Sequence, residues 1–510
     1  MDPTVATAFY PLSGSDPDPF EEARIADSKA CLAASKSRIA ASEERIARYH
    51  ETMNTGVLAT LKFEIVPIRI LPDKLLTSIF RCAIGAEYGA SDRVRRVLDL
   101  SQVCKLWRTL ALQNPDLWTT QLPIKYKSSA DKPYSAEYVA MTKVYQERSA
   151  PLPIAFDCIH RNTILPALAD VLLSAAPRWH ELSVTGHHSM VQAIVALPPD
   201  TFRELRSAQL DMREPLHRLS SSAFVSASQL REVSLNFVDH PQSYGLGPLM
   251  PWLQLTCLTL HRLPLHYALS IVVQCTHLEK VSIQTLPHDD ESVIPARKVT
   301  TLSQLRKLDI TLSARHVEPW FRQVTFPNLE TLEISHCGKG EGWDDDLRIR
   351  VWGQAGLAVF LSFLRRTPNI ECFSLTSCNL EPQQLHDILV HCPALTKLTL
   401  FACGYCINDD PLGALEYSQN DVVHLVPRLR KLLLGGVNEL SGNFNENKLL
   451  SMIRSRWWTP AALQTLPAPP PVAVWETIEI EPYEHAEWEP SAEFQNEIKR
   501  LNSEGLDIYA

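Results

Sequence analysis

Apolar and polar positions in this chain repeat on two different patterns, and the change falls near residue 150. Before it, hydrophobic residues recur at three- and four-residue spacing, as on a helix with one buried face. Ile25, Leu32, Ile39, Ile46 and Met53 lie seven apart, with Ser28, Ser35, Ser42 and Tyr49 between them. Residues 22–60 are therefore predicted to form an amphipathic helix with one narrow apolar stripe. Pro72, suited to a first helical turn, precedes Leu75, Leu76, Ile79 and Phe80 and predicts another helix. Val97, Leu100, Val103, Cys104 and Trp107 predict a further one, and Asn114-Pro115 turns the chain before Leu117 and Trp118. Tyr134, Tyr138, Met141 and Tyr145 share one helical face in the connecting stretch 123–150. So small a helical unit cannot bury this many large apolar residues, and the surplus predicts a partner.

After residue 150 the pattern becomes a recurring triplet, with apolar residues at its first, fourth and sixth positions. It runs from Trp179/Leu182/Val184 to Leu429/Leu432/Leu434, ten times in all and mostly 23 to 27 residues apart. Amphipathic stretches such as Leu165–Ala176, Tyr267–Cys275, Leu357–Arg366 and Leu385–Cys392 lie between the triplets. A strand followed by a helix, repeated many times, is the prediction, and the fold class is mixed α/β. Pro151–Phe156 predicts an irregular early strand, and Trp475/Ile478/Ile480 a late one.

The order Leu71-Pro72, Leu75-Leu76, Ile79-Phe80, Leu100, Val103-Cys104, Trp107-Arg108, Leu117-Trp118 resembles an F-box, over residues 67–118. Asp73-Lys74 stands where that family usually has a polar residue followed by Glu, and an insert near Ala86–Arg96 separates the halves. The resemblance implies a small all-α domain (67–122) that docks on the Skp-type adaptor of a cullin ubiquitin ligase. It implies adaptor-binding roles for Leu71, Pro72, Leu75, Leu76, Ile79, Phe80, Val103, Trp107, Leu117 and Trp118.

The triplets, over 151–440, resemble leucine-rich repeats, which implies an α/β solenoid of about ten repeats with strands on its concave side. Strand alternation then points the residues between the apolar ones to the concave surface. Among these, Glu181, Asp211 and Glu232 come first, followed by Lys280, Lys307, Lys397, Phe401 and Lys431. This acidic-to-basic run with an exposed aromatic is the expected target-binding face. The same resemblance places Cys337, Cys378 and Cys403 at the turn leaving each strand. Together the two resemblances imply a non-catalytic substrate receptor of a Skp–cullin–F-box ligase. A repeat scaffold that does not direct ubiquitination is the alternative.

Composition narrows the picture further. The 510 residues are 45% hydrophobic and 21% charged, as in soluble globular proteins, and no apolar run is long enough to span a bilayer. Acidic residues precede Arg24 and predict no secretory signal, and twelve cysteines without a tight framework predict reduced thiols in cytoplasm or nucleus. The formal net charge of −9 is concentrated from Glu476 onward, where ten acidic residues face only Lys499 and Arg500. The rest of the chain is close to neutral, so nucleic acid is not an expected partner. Residues 1–21 are expected to be disordered and 441–475 to be a Pro-containing extension. Residues 476–510 are expected to be a solvated acidic tail, the alternatives being a cover over the basic end, a docking segment for a basic partner, or a cap on the last repeat. Searches for catalytic chemistry return nothing: there is no G-x-x-x-x-G-K-[ST], H-E-x-x-H or G-x-S-x-G pattern. Cys403-Gly-Tyr-Cys406 is a lone pair, the loop Gly338–Asp346 lacks calcium spacing, and His187, His188 and His261 have no partner at ligand spacing. The expectation is no enzyme, no metal, no cofactor and no membrane.

Overall fold

The computed structural model describes residues 29–30, 33–46, 71–84, 90–119, 122–125, 136–159, 166–185, 188–212, 223–237, 250–285, 299–336, 352–378, 380–403, 406–419, 423–437, 445–466, 468–482 and 490–509. Every structural statement below is made of these. The expected disorder of 1–21, most of the helix predicted over 22–60, Tyr134, Cys337 and the loop Gly338–Asp346 fall outside them, as do the side chains of Tyr138 and His188.

The chain divides into two compact units, Met1–Ile79 and Phe80–Ala510, with the divide inside one helix. In the first, residues 33–46 are helical and exposed throughout. The helix α1 (Asp73–Ile84) starts where the proline predicts: the N–H groups of Leu75 and Leu76 donate to the Pro72 carbonyl at 2.9 and 3.1 Å.

The second unit opens with α2 (Ala90–Val103), α3 (Lys105–Gln113) and a 3₁₀ turn at Pro115–Trp118. Part of the stretch expected as an insert is therefore the start of α2. Cys104 separates the two helices. Its extended backbone makes it the N-cap of α3, and its thiol accepts the Trp107 N–H at 3.5 Å.

A fourteen-stranded sheet follows, parallel at every pairing. Its strands are β1 (Leu122–Lys125), β2 (Ile154–Ile159), β3 (Trp179–Thr185), β4 (Ser207–Met212), β5 (Glu232–Phe237), β6 (Cys257–Leu263) and β7 (Lys280–Thr285). After β8 (Thr300–Thr301) come β9 (Lys307–Leu312), β10 (Val324–Thr325), β11 (Thr331–His336), β12 (Cys372–Thr376) and β13 (Lys397–Phe401). The series ends with β14 (Lys431–Val437), β15 (Thr477–Pro482) and β16 (Asp507–Tyr509). Strands lie side by side in chain order, except that β8 and β10 pair separately.

Register shows why the triplets matter. Leu182, Ala208, Val233, Leu258, Val281, Leu308, Leu332, Phe373, Leu398, Leu432, Ile478 and Ile508 form one continuous row across the sheet. A second row runs from Val184 to Ile480, and both are buried. A one-residue slip of any strand would carry its apolar pair to the other face, so burial specifies the register. The carbonyl just before a strand adds a rung: Arg206 O accepts the N–H groups of Arg231 and Glu232, and Arg430 O those of Glu476 and Thr477. Left-handed residues mark bulges inside β6 (Arg262, φ 60°) and β14 (Gly436, φ 66°) and the turns leaving β12 (Ser377, φ 54°) and β13 (Ala402, φ 51°). Beyond those turns, the Cys378 and Cys403 thiols point back to the Ile334 and Leu375 carbonyls, at 3.8 and 3.5 Å.

The connecting helix α4 (Ala136–Ser149) faces inward with Thr142, Tyr145, Gln146 and Ser149, and Met141 faces solvent. The predicted aromatic face is thus rotated. β1 also takes residues assigned to the connecting segment. Tyr145 meets Trp118 edge-on at 6.0 Å between centroids, and Arg148 lies over the same indole at 4.7 Å. Arg178, just before β3, donates to the carbonyls of Gln146 and Leu152 and to Ser149 Oγ, tying α4 to the sheet.

The core lies between the sheet and the helices that connect its strands: α5 (Pro166–Ser174), α6 (His188–Val195), α7 (Leu265–Val272), α8 (Val317–Arg322), α9 (Gln354–Arg365), α10 (Pro382–Val390) and α11 (Asp409–Leu415). α12 (Glu446–Ser455), α13 (Pro460–Thr465) and α14 (Ala492–Ser503) complete the layer. Local sequence starts them sharply: α10 has Pro382 in its first turn and a capping box of Glu381 with Gln384.

The acidic end is not the solvated tail expected first. Residues 477–482 and 507–509 are strands of the main sheet, and Phe494, Ile498 and Leu501 bury one face of α14 in the same core. The ordered sheet therefore runs from Leu122 to Tyr509, past both limits expected for the repeats. Its acids are matched locally. Glu497 pairs with Arg454 at 2.7 Å and Arg500 at 2.5 Å, and Glu504 with Arg500 at 2.7 Å. Arg456 is buried behind this end and donates to the Leu425 and Val426 carbonyls at 2.7 and 3.1 Å. Burial pulls its pKa down to about 10.

Candidate interaction sites

The residues singled out by sequence fall into two groups, each described within its own unit. The first is helical. On α1, Leu75 is 52% and Ile79 41% exposed, and their spacing of four puts both on one helical face. Pro72 is exposed and Leu71 half-buried. In the second unit, Val103 is 60% exposed, and Leu98 and Leu106 are also exposed. Trp107 is half-buried, its ring 4.8 Å from that of Phe80.

Four expected adaptor contacts are instead interior residues: Leu76, Phe80, Leu117 and Trp118. Trp118 is held by its indole N–H, which donates to the Ala111 carbonyl at 2.8 Å. Arg81 pairs with Asp116, and Arg108 donates to the Ser101 carbonyl at 3.0 Å. Spacing marks these positions as apolar but does not say which side of the helix meets the protein's own core. Leu98 and Leu106 escaped the sequence reading because it ran one stripe through Cys104, where the helix breaks.

The second surface is the sheet face opposite the core. Glu181, Glu232, Lys280, Lys397 and Lys431 lie on it, exposed, with Lys307 half-buried. Asp211 does not belong with them. It is buried, and it accepts the Asn236 side-chain amide at 3.1 Å. Cross-strand pairs tie other positions together: Ser282 Oγ to Asp309 at 2.9 Å, His261 Nδ1 to Gln284 Oε1 at 3.2 Å, and Lys307 Nζ to Glu333 at 2.8 Å. The hydrogen bond to Glu333 raises the Lys307 pKa. Lys431 lies 3.7 Å from Glu476, whose pKa is held down chiefly by its hydrogen bond with Arg430.

Phe401 is 38% exposed and lies over Gly435, where an added Cβ would sit 2.2 Å from the ring. Leu433 closes on the same point at 3.3 Å. Phe401 and Leu433 thus form a small apolar shelf on an otherwise polar face. The charge run does not end basic, because β15 and β16 add Glu479, Glu481 and Asp507 beyond the lysines. The face expected from sequence stopped two strands early, although Ile478/Ile480 carried the signal for the first of them.

Among the described residues no group of three or more His, Cys, Asp or Glu is placed to hold a metal ion. Cys403 and Cys406 are both buried, and the Cys406 thiol donates to the Cys403 carbonyl at 3.2 Å. No described helix is long and apolar enough to cross a membrane. A scan against protein-family models and a search of curated proteins each return no match.

Proposed function

We propose that this chain is a non-catalytic substrate receptor of a Skp–cullin–F-box ubiquitin ligase, working in cytoplasm or nucleus. In this reading, residues 67–118 form the F-box that holds the Skp-type adaptor. The strand–helix units form a leucine-rich-repeat solenoid whose outward strand face takes the target protein. Catalysis then comes from positioning the target near the ligase's other subunits. The observation that carries the reading is the pairing, in one chain, of the ordered motif from Leu71-Pro72 to Leu117-Trp118 with the in-register apolar rows that follow it. The exposed apolar side chains of Leu75 and Ile79, on one face of α1, support it, since an uncovered apolar helical face is where a partner docks.

The test is co-purification of adaptor and cullin with the full chain and with Leu75→Ala, Ile79→Ala. Burying a fully exposed Leu or Ile is worth about 1.5–3 kcal/mol. Both are already half covered, so the double variant should lose on the order of 2 kcal/mol, roughly thirtyfold in affinity. A wild-type chain that recovers neither adaptor nor cullin would refute the reading and leave a repeat scaffold.

A further inference from the structure

The shelf around Phe401 has a direction. Lys397 and Phe401 both point outward from β13, four residues apart, which is about 13 Å at the strand rise. On β14, Lys431, Leu433 and Gly435 stand in register with Lys397, Thr399 and Phe401. Cations therefore occupy one end of this strand pair and the apolar shelf the other. Glycine at position 435 keeps the shelf open, since any side chain there would collide with the Phe401 ring. Lys431 is already partly neutralised by Glu476, whereas Lys397 has no ion pair among the described residues. On the far side, Glu479 pairs in register with Leu433 and brings negative charge to the level of the shelf.

Resting on the reading of this face as the target-binding one, we propose that β13 and β14 accept an extended partner segment with a specific pattern. An acidic side chain sits against Lys397, and a large apolar side chain four residues along packs on Phe401 and Leu433. Lys397 supplies the charge complementarity, and Phe401 supplies a partly exposed aromatic of the kind that dominates binding energy at interfaces. Glu479 opposes a second acid at the apolar end, so the segment's charge must be asymmetric.

An array of Gly/Ser peptides, each carrying one Asp and one Phe at varied separation, tests this with the full-length chain. Capture should peak near a separation of four residues. It should fall about tenfold in Phe401→Ala and in Lys397→Glu, the scale expected for loss of an anchor or a charge pair. The Lys397→Glu protein should regain capture when Asp in the peptide is replaced by Lys, an outcome an unfolded variant could not produce. No capture, capture independent of spacing, or capture unchanged by Phe401→Ala would overturn the proposal. Equal capture of a single-stranded oligonucleotide would also overturn it, assigning the lysines to a general polyanion surface. Adaptor recovery from the same preparation separates failure here from failure of the receptor reading.

Discussion

The helices before the sheet and the segment that ends it carry apolar residues at the same helical spacing but dispose of them in opposite ways. In α2 and α3, Leu98, Val103 and Leu106 stay in water. In α14, Phe494, Ile498 and Leu501 are buried, although the surrounding sequence is among the most acidic in the chain. The difference lies in what each helix has beside it. α14 lies against α12 and leads into β16, so its apolar face completes a core already begun, and Arg454 and Arg500 answer its acids. The outward faces of α2 and α3 find only partial cover among the described residues. Net charge predicts neither outcome, because it averages over a helix that has a charged side and an apolar one.

The largest effect should come from removing 476–510. A solvated tail would leave without consequence, whereas this segment covers Trp475, Leu432 and Leu434 and supplies Ile478, Ile480, Phe494 and Ile508 to the core. The truncated protein should lose several kcal/mol of stability, lowering the melting temperature by roughly 5–10 °C in a unit of this size. An unchanged melt would show that the acidic end is no part of the core.

Adjacent residues on α1 sharpen the contrast between buried and exposed apolar groups. Leu76→Ala opens a cavity and should cost about 2–5 kcal/mol in urea unfolding. Leu75→Ala, at a half-exposed position, should stay within about 0.5 kcal/mol. Similar losses in both variants would erase the distinction between interior and surface residues.

The smallest effect concerns acid. Hydrogen bonds from Arg500 and then Arg454 hold the Glu497 pKa down to about 2, against an ordinary 4.5. Because the folded value is the lower one, the stabilisation is present above pH 4.5 and is lost as pH falls toward 2. Solvent screening keeps it near 1 kcal/mol or less. Glu497→Gln should flatten this part of the acid-unfolding curve followed by circular dichroism. An identical acid limb would mean that the ion pairs contribute nothing.

Much of the fold is legible in the sequence. Ten apolar triplets predicted strands, and each is buried in register with its neighbours, because alternation in a strand assigns inside and outside residue by residue. The outward residues at the candidate site were legible for the same reason, Lys397, Phe401 and Lys431 among them. Asp211 was not: it is buried and hydrogen-bonded to Asn236 of the neighbouring strand, twenty-five residues away.

What sequence determined by itself is therefore local: strand positions, helix starts such as Pro72 and Pro382, and the division of each strand into two faces. Tertiary structure decided which helical faces found cover, that Phe401 lies across Gly435, and that α14 and β16 at the acidic end join the core and the sheet. A period names the residues that share a face. What lies opposite that face depends on chain segments distant in sequence, and only packing brings those together.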